Sequence, residues 1–155
     1  MSASGAEVRC MLIPMREGRL LMPSASVAEV IGFRTPDPIA EGPLWLLGTV
    51  SWHQRDIPVI DFERLMGRAQ TSAGIRQRIA VCYAIGTDLT SPLFGVVAQG
   101  IPRLLHLQTE QVEYASARSS GEQAVRMTLS VSGESLTVPD LDYVQAQLAN
   151  RIAIG

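Results

Sequence analysis

The chain contains no lysine; its 13 basic residues are all arginine. That removes phosphate-loop, Schiff-base and pyridoxal-phosphate chemistry, each of which needs a lysine amine. There are only two cysteines (Cys10, Cys82) and two histidines (His53, His106), and none has metal-ligand spacing such as Cys-x-x-Cys, so no metal centre and no cofactor are expected. No Gly-x-Ser-x-Gly elbow and no Gly-x-Gly-x-x-Gly fingerprint occur. Aromatic residues make up 5% of the chain and the formal charge is −2, so the basic surplus and interleaved aromatics of a nucleic-acid binder are missing. No run of 18 apolar residues is present, so no membrane insertion is expected. The opening MSASGAE lacks the basic start and apolar core of a signal peptide, which points to a cytoplasmic protein.

What remains is a globular composition: 155 residues, 46% apolar and 18% charged, the size of one domain. Residues 42–67 form its organising unit. Thr49 to Trp52 suits a strand, His53 to Asp56 a hairpin loop, and Ile57 to Ile60 a return strand that tolerates Pro58. Asp61 then caps a short helix ending near Gly67. Before it, Val8 to Met15 and Arg19 to Pro23 read as strands around a Glu17-Gly18 turn. Ser26 to Glu29 has capping-box spacing and predicts a short helix with Val27, Val30 and Ile31 on one face, ended by Gly32. Residues 33–43 carry three prolines and make an extended loop, and Leu44 to Leu47 can add one helical turn behind Pro43.

After a polar connection at 68–76, strands are expected at 78–85, 93–98, 101–107 and 111–115, with loops at 86–92 and 116–122. Val125 to Val131 alternates apolar and polar residues, the mark of a half-buried strand, and Leu136 to Val138 returns from a Ser132-Gly133-Glu134 turn. Pro139 opens a final helix, 139–150, with Leu141, Val144 and Leu148 on one stripe. The second hairpin repeats the first at an offset of 79, with Val50 to Leu65 lying over Leu129 to Val144. The fold expected is therefore mainly β: two small five-stranded barrels around a shared hydrophobic core, with a few short helices and a C-terminal helix. The domain spans 7–150, its barrel halves fall near 19–70 and 77–138, and residues 1–6 are disordered.

Catalytic residues are not evident. Both cysteines lie in apolar strands, where a thiolate is disfavoured, so a cysteine hydrolase is a remote alternative, as is a nucleic-acid-binding barrel. Asp140 and Asp142 suit the first turn of a helix, where acids complement the dipole. His53, at a hairpin tip beside Gln54, Arg55 and Asp56, is better placed for recognition, and Trp45 and Trp52 bracket the same unit.

Residues 48–62 (GTVSWHQRDIPVIDF) resemble the signature of CheW-like domains, the coupling adaptors of bacterial chemosensory systems: Gly-apolar-apolar-Asn-Leu-Arg-Gly, a short spacer, then Pro-Val-apolar-Asp-Leu. Val27 to Ile31 (VAEVI) resembles the family's Val-x-Glu-Val-apolar segment, and Gly133 to Leu141 its second hairpin and helix. The resemblance implies the double-barrel fold and a non-enzymatic role, in which the protein couples the cytoplasmic tip of methyl-accepting receptors to the regulatory domain of a CheA-type histidine kinase and is recruited to membrane receptor arrays. It implies a partner-binding surface made of Val27, Glu29, Ile31, Gly48, Ser51, Trp52, His53, Arg55 and Ile57. The family's Asn-Leu-Arg-Gly is replaced by Ser51-Trp52-His53-Gln54, which exchanges a guanidinium for an imidazole and a turn glycine for glutamine. Those departures mark a divergent member, similar to the adaptors of type IV pilus chemosensory systems, with a different partner.

Overall fold

A computed structural model describes residues 7–68, 76–84, 93–117 and 123–154. The expected connection at 68–76, the loops at 86–92 and 116–122 and the disordered start at 1–6 lie largely or wholly outside the described residues. Eleven strands and two α-helices follow in order: β1 (Glu7–Pro14), β2 (Arg19–Pro23), β3 (Val27–Gly32), β4 (Leu46–Trp52), β5 (Arg55–Ile60), α1 (Phe62–Leu65), β6 (Arg78–Tyr83), β7 (Leu93–Ala98), β8 (Arg103–Gln108), β9 (Val112–Ala117), β10 (Val125–Val131), β11 (Glu134–Pro139) and α2 (Leu141–Ile154). Short 3-10 turns precede β3 (Ser24–Ser26) and β9 (Thr109–Gln111).

The strands make two sheets. Sheet I has the order β8-β1-β2-β11-β10-β9 and sheet II the order β3-β6-β7-β5-β4. Sheet I thus has six strands, not five, because Val112–Ala117 adds a full strand beyond β10. Three apolar clusters fill the molecule. One, with Cys10, Leu12, Leu21, Leu129 and Leu136, lines the inside of sheet I. A second, with Val50, Ile57, Val59, Ile79 and Val81, lines the inside of sheet II. The third, with Ile13, Leu20, Met22, Ile60, Phe94, Val96, Val144 and Leu148, is the seam shared by both sheets and α2. The two-barrel reading with a common core holds, and the stripe on α2 is what seals the seam.

The offset of 79 is structural. Strands 46–52 and 125–131, and 55–60 and 134–139, correspond residue for residue. Both hairpins turn on two residues with positive φ, His53-Gln54 and Ser132-Gly133. Both register shifts fall at the same place, between Leu46 and Gly48 and between Val125 and Met127. Each hairpin ends on an aspartate whose carboxylate accepts a helix N–H three residues on: Arg64 N donates to Asp61 Oδ1 at 3.2 Å and Tyr143 N to Asp140 Oδ1 at 3.1 Å. Even the preceding backbone bond recurs, from Asp61 N to Trp45 O and from Asp140 N to Ala124 O.

The sheets do not follow the division into 19–70 and 77–138. Sheet I combines β1 and β2 with β8 to β11, and sheet II combines β3 to β5 with β6 and β7. The early and late strands are joined through four ladders, β3 with β6, β5 with β7, β1 with β8 and β2 with β11, and this is an exchange of partners between the halves. Hairpin signals are local and visible in sequence; the exchange is a choice of distant partner and is not.

Several local expectations are corrected. Residues 27–31 form a strand rather than a helix, because β-branched Val27, Val30 and Ile31 fit a pleated ladder and β6 offers one: Val30 pairs with Ala80 and Ile31 with Ile79. The Ser24–Ser26 turn that precedes it has no side-chain cap. The helical turn expected at 44–47 is a backbone turn, Leu46 N donating to Pro43 O, after which Leu46 is already in β4. The hairpin loop has two residues rather than four, since Trp52 pairs with Arg55. Pro139 ends β11 instead of opening the helix, which Asp140 caps.

Candidate docking surface

The β4–β5 hairpin projects a tip of side chains from the mouth of sheet II. With φ of 50° at His53 and 65° at Gln54, the turn is of the type that twists with its flanking strands, and no glycine relieves it. Strand alternation sorts the side chains. Val50 and Ile57 face each other inward, Ser51 and Asp56 outward, and Trp52 and Arg55 lie on the inner side at the mouth. Trp52 is half-buried against the inner cluster, while Ser51, His53, Arg55 and Asp56 are exposed.

Three of these groups interlock. The indole N–H of Trp52 donates to Glu29 Oε1 at 3.0 Å. The same oxygen lies 3.6 Å from His53 Nε2. The Trp52 and His53 rings meet at 4.1 Å between centroids with their planes tilted by 57°. Among the described residues, Arg55 and Asp56 have no ion-pair partner and remain open to an incoming group.

The sequence-expected residues therefore separate. Glu29, Trp52, His53 and Arg55 are brought together at the tip, and Ser51 is exposed on the outward face of the same hairpin. Ile57 is not: it is fully buried in the inner cluster of sheet II. Gly48 is also internal. Its φ is +143°, and a Cβ there would sit 2.0 Å from the Asp37 carbonyl oxygen, because the proline-bearing loop crosses β4 at this point. Asp37 and Thr49 exchange two backbone hydrogen bonds, at 2.8 and 2.9 Å, beside it. Gly48 is required for that close approach rather than for contact with a partner. The bulge between Val27 and Glu29 splits the third group. Val27 packs on the seam, Ile31 packs on the inner cluster, and only Glu29 reaches the tip. Trp45 packs on the seam while its neighbour Leu44 is 82% exposed.

Sequence reasoning missed a second ionic site. Glu63, only 2% exposed, accepts the backbone N–H groups of Arg16 and Glu17 at 2.9 and 3.0 Å, and the Arg16 guanidinium pairs with Asp61 at 3.1 Å and with Glu63 at 3.4 Å. This clamps the β1–β2 turn of sheet I to α1 beside sheet II. Nothing local in the sequence marks a partner 47 residues away.

Both cysteines are buried and unbridged. Burial raises the Cys10 thiol and pushes Cys82 up to about 12, so neither is a ready nucleophile. Their thiols donate to Val8 O and Ala80 O, and the histidines face glutamates instead, His106 Nδ1 lying 3.3 Å from Glu7 Oε2. Asp140 and Asp142 share Arg126, as expected of structural acids. Among the described residues no group of three or more His, Cys, Asp or Glu could hold a metal, and no helix is long and apolar enough to cross a membrane.

Fold and site together define a class: a double-barrel β module that presents a hairpin tip. The family is shown by the sequence. The CheW-like domain model matches residues 9–148, and the chain belongs to that family. A solved structure agrees: the scaffolding protein TtCheW from Thermoanaerobacter tengcongensis aligns with 87% of this chain and 90% of its own at a TM-score of 0.72, with 15% identity. A comparison with curated proteins finds no match.

Proposed function

We propose that the chain is a non-enzymatic adaptor of bacterial chemosensory signal transduction, coupling methyl-accepting receptors to the regulatory domain of a CheA-type histidine kinase at membrane arrays. Membership of a family of scaffold domains supports the adaptor role. The observation that carries the site is the exposed tip, with a Trp52–His53 ring pair beside an unpaired Arg55 and Asp56. An aromatic anchor next to an arginine is the composition of an interface hot spot. Docking here needs Glu29, Ser51, Trp52, His53 and Arg55; the half-buried Ile31 packs on the same inner cluster as Trp52, and Val27 packs on the seam.

The test is a binding titration against the cognate kinase regulatory domain and a receptor signalling tip, with Trp52→Ala, His53→Glu and Arg55→Glu as probes. Loss of a hot-spot side chain weakens binding by about 2 kcal/mol or more, roughly thirtyfold. If all three variants bind like the parent, the surface is wrongly assigned. The replacement of Asn-Leu-Arg-Gly by Ser51-Trp52-His53-Gln54 favours a second reading, in which the partner belongs to a divergent system such as the type IV pilus branch. Binding to a pilus-type kinase in preference to a flagellar one would select it.

A further inference from the structure

Strands β3 and β4 are the two ends of sheet II, and no backbone ladder joins them among the described residues. The barrel they border is nevertheless filled, with Ala28 and Ile31 of β3 and Leu47 and Trp52 of β4 all packed on one inner cluster. Something must hold the two ends together across that gap. At one point it is the pair of backbone bonds between Asp37 and Thr49. At the mouth it is Glu29.

The register places it there. Glu29 stands opposite Val81 and Ile31 opposite Ile79, so both lie on the inner face of β3, with Glu29 toward the open end. Trp52 lies two residues beyond inward-facing Val50 on β4. The two side chains therefore approach from opposite rims, and the indole N–H closes on the carboxylate at 3.0 Å. The oxygen that accepts it also faces His53 Nε2 at 3.6 Å, and the imidazole leans on the indole. One carboxylate oxygen thus accepts the indole N–H and faces the imidazole that leans on that ring.

We propose that Glu29 is a positioning residue: its carboxylate latches the open edge of barrel II by holding Trp52, and so sets the tip that partners meet. This rests on the docking reading only in taking the tip as the partner surface. It changes what the tip offers. The Trp52 N–H is already satisfied, so a partner meets the indole ring and the unpaired Arg55 and Asp56, and a partner acid that sought the N–H must first displace Glu29.

The experiment uses the free, full-length chain in a Trp45→Phe background, which leaves Trp52 as the single tryptophan of the two present. Amide hydrogen exchange at residues 52, 53 and 55 is read in Glu29→Ala, Glu29→Gln, Trp52→Phe and the Glu29→Ala/Trp52→Phe double variant, and the Trp52 emission spectrum in the parent, Glu29→Ala and Glu29→Gln. Glu29→Ala speeds exchange at those amides tenfold or more and shifts the emission to the red. Glu29→Gln, which keeps an acceptor oxygen, stays within threefold of the parent. Trp52→Phe, which removes the donor together with part of the packed ring, speeds exchange at least as much as Glu29→Ala does, and the double variant is no faster than the faster single one. Exchange in Glu29→Ala within twofold of the parent overturns the latch, as does a Glu29→Gln variant as loose as Glu29→Ala, or additive single effects. Should Glu29→Ala not fold, Trp52→Phe alone decides on the same criterion. Because no partner is present, these outcomes stand apart from the docking reading, which fails by itself if the latch behaves as stated but Trp52→Ala, His53→Glu and Arg55→Glu all bind like the parent.

Discussion

Replacing Glu63 by alanine is the most demanding test of how the two sheets are held. The carboxylate is 2% exposed and accepts two backbone N–H groups, from Arg16 and Glu17, while also facing the Arg16 guanidinium at 3.4 Å. Truncation removes the acceptor of two part-buried hydrogen bonds from the β1–β2 turn, at about 1–3 kcal/mol each. Arg16 keeps Asp61 at 3.1 Å, so the cation is not stranded. The sum, about 2–6 kcal/mol, brackets the usual penalty of about 3–5 kcal/mol for removing one partner from a buried ionic network, and that narrower range is the expected loss. Against a typical total stability of about 5–15 kcal/mol this is a large share. Urea unfolding followed by circular dichroism reads it: with a slope of about 2 kcal/mol per molar, the midpoint falls by about 1.5–2.5 M. Glu113→Ala is the control. Its carboxylate also accepts two bonds, from Ser130 Oγ and Gly133 N, but it is exposed, so water replaces them and the loss stays below about 1 kcal/mol. A Glu63→Ala protein within about 1 kcal/mol of the parent would refute the argument that this clamp joins sheet I to α1.

Gly48→Ala forces a Cβ to within 2.0 Å of the Asp37 carbonyl oxygen at a φ of +143°, so the loop over β4 must detach or the chain must lose about 3 kcal/mol or more, read by thermal unfolding. Gln54→Gly relieves a left-handed residue in the first hairpin and raises stability by about 0.5–1 kcal/mol, whereas Gly133→Ala in the equivalent turn lowers it by a similar amount; equal signs for the two would refute the shared turn geometry. The thiols stay unreactive toward a thiol reagent at pH 8 until denaturant is added. For Cys82 the folded value is raised from the ordinary 9.0 to about 12, so the stability gained by keeping this thiol neutral is complete below pH 9 and declines as pH rises toward 12. Labelling of the native protein at pH 8 at the unfolded rate would contradict its burial.

The hairpin at 46–60, the Asp61 cap and the repeat at an offset of 79 could be read from the residues because each depends on neighbours a few positions apart: alternating burial, a turn, an aspartate before a helix. The strands at 19–23, 93–98 and 125–131 were legible for the same reason. Residues 27–31 were not. Their Ser-x-x-Glu spacing gives a local vote for helix, and the vote is overruled by a ladder on β6, some 50 residues on, which sequence spacing does not reveal. The candidate surface divides along the same line. That Trp52, His53 and Arg55 sit at a tip follows from the hairpin alone, but that Gly48 and Ile57 face inward depends on the loop crossing β4 and on the packing of sheet II. Sequence by itself determined the pieces: the apolar pattern of ten of the eleven described strands, two matched hairpins, buried cysteines and an acidic cap at the end of each hairpin. Only the tertiary structure decided the pairing: the ladders β3–β6, β5–β7, β1–β8 and β2–β11 between early and late strands, the Glu63 clamp and the Glu29–Trp52 contact. Each joins residues far apart in the chain, and the energy that selects among distant partners comes from burial and complementary packing, which no local pattern encodes.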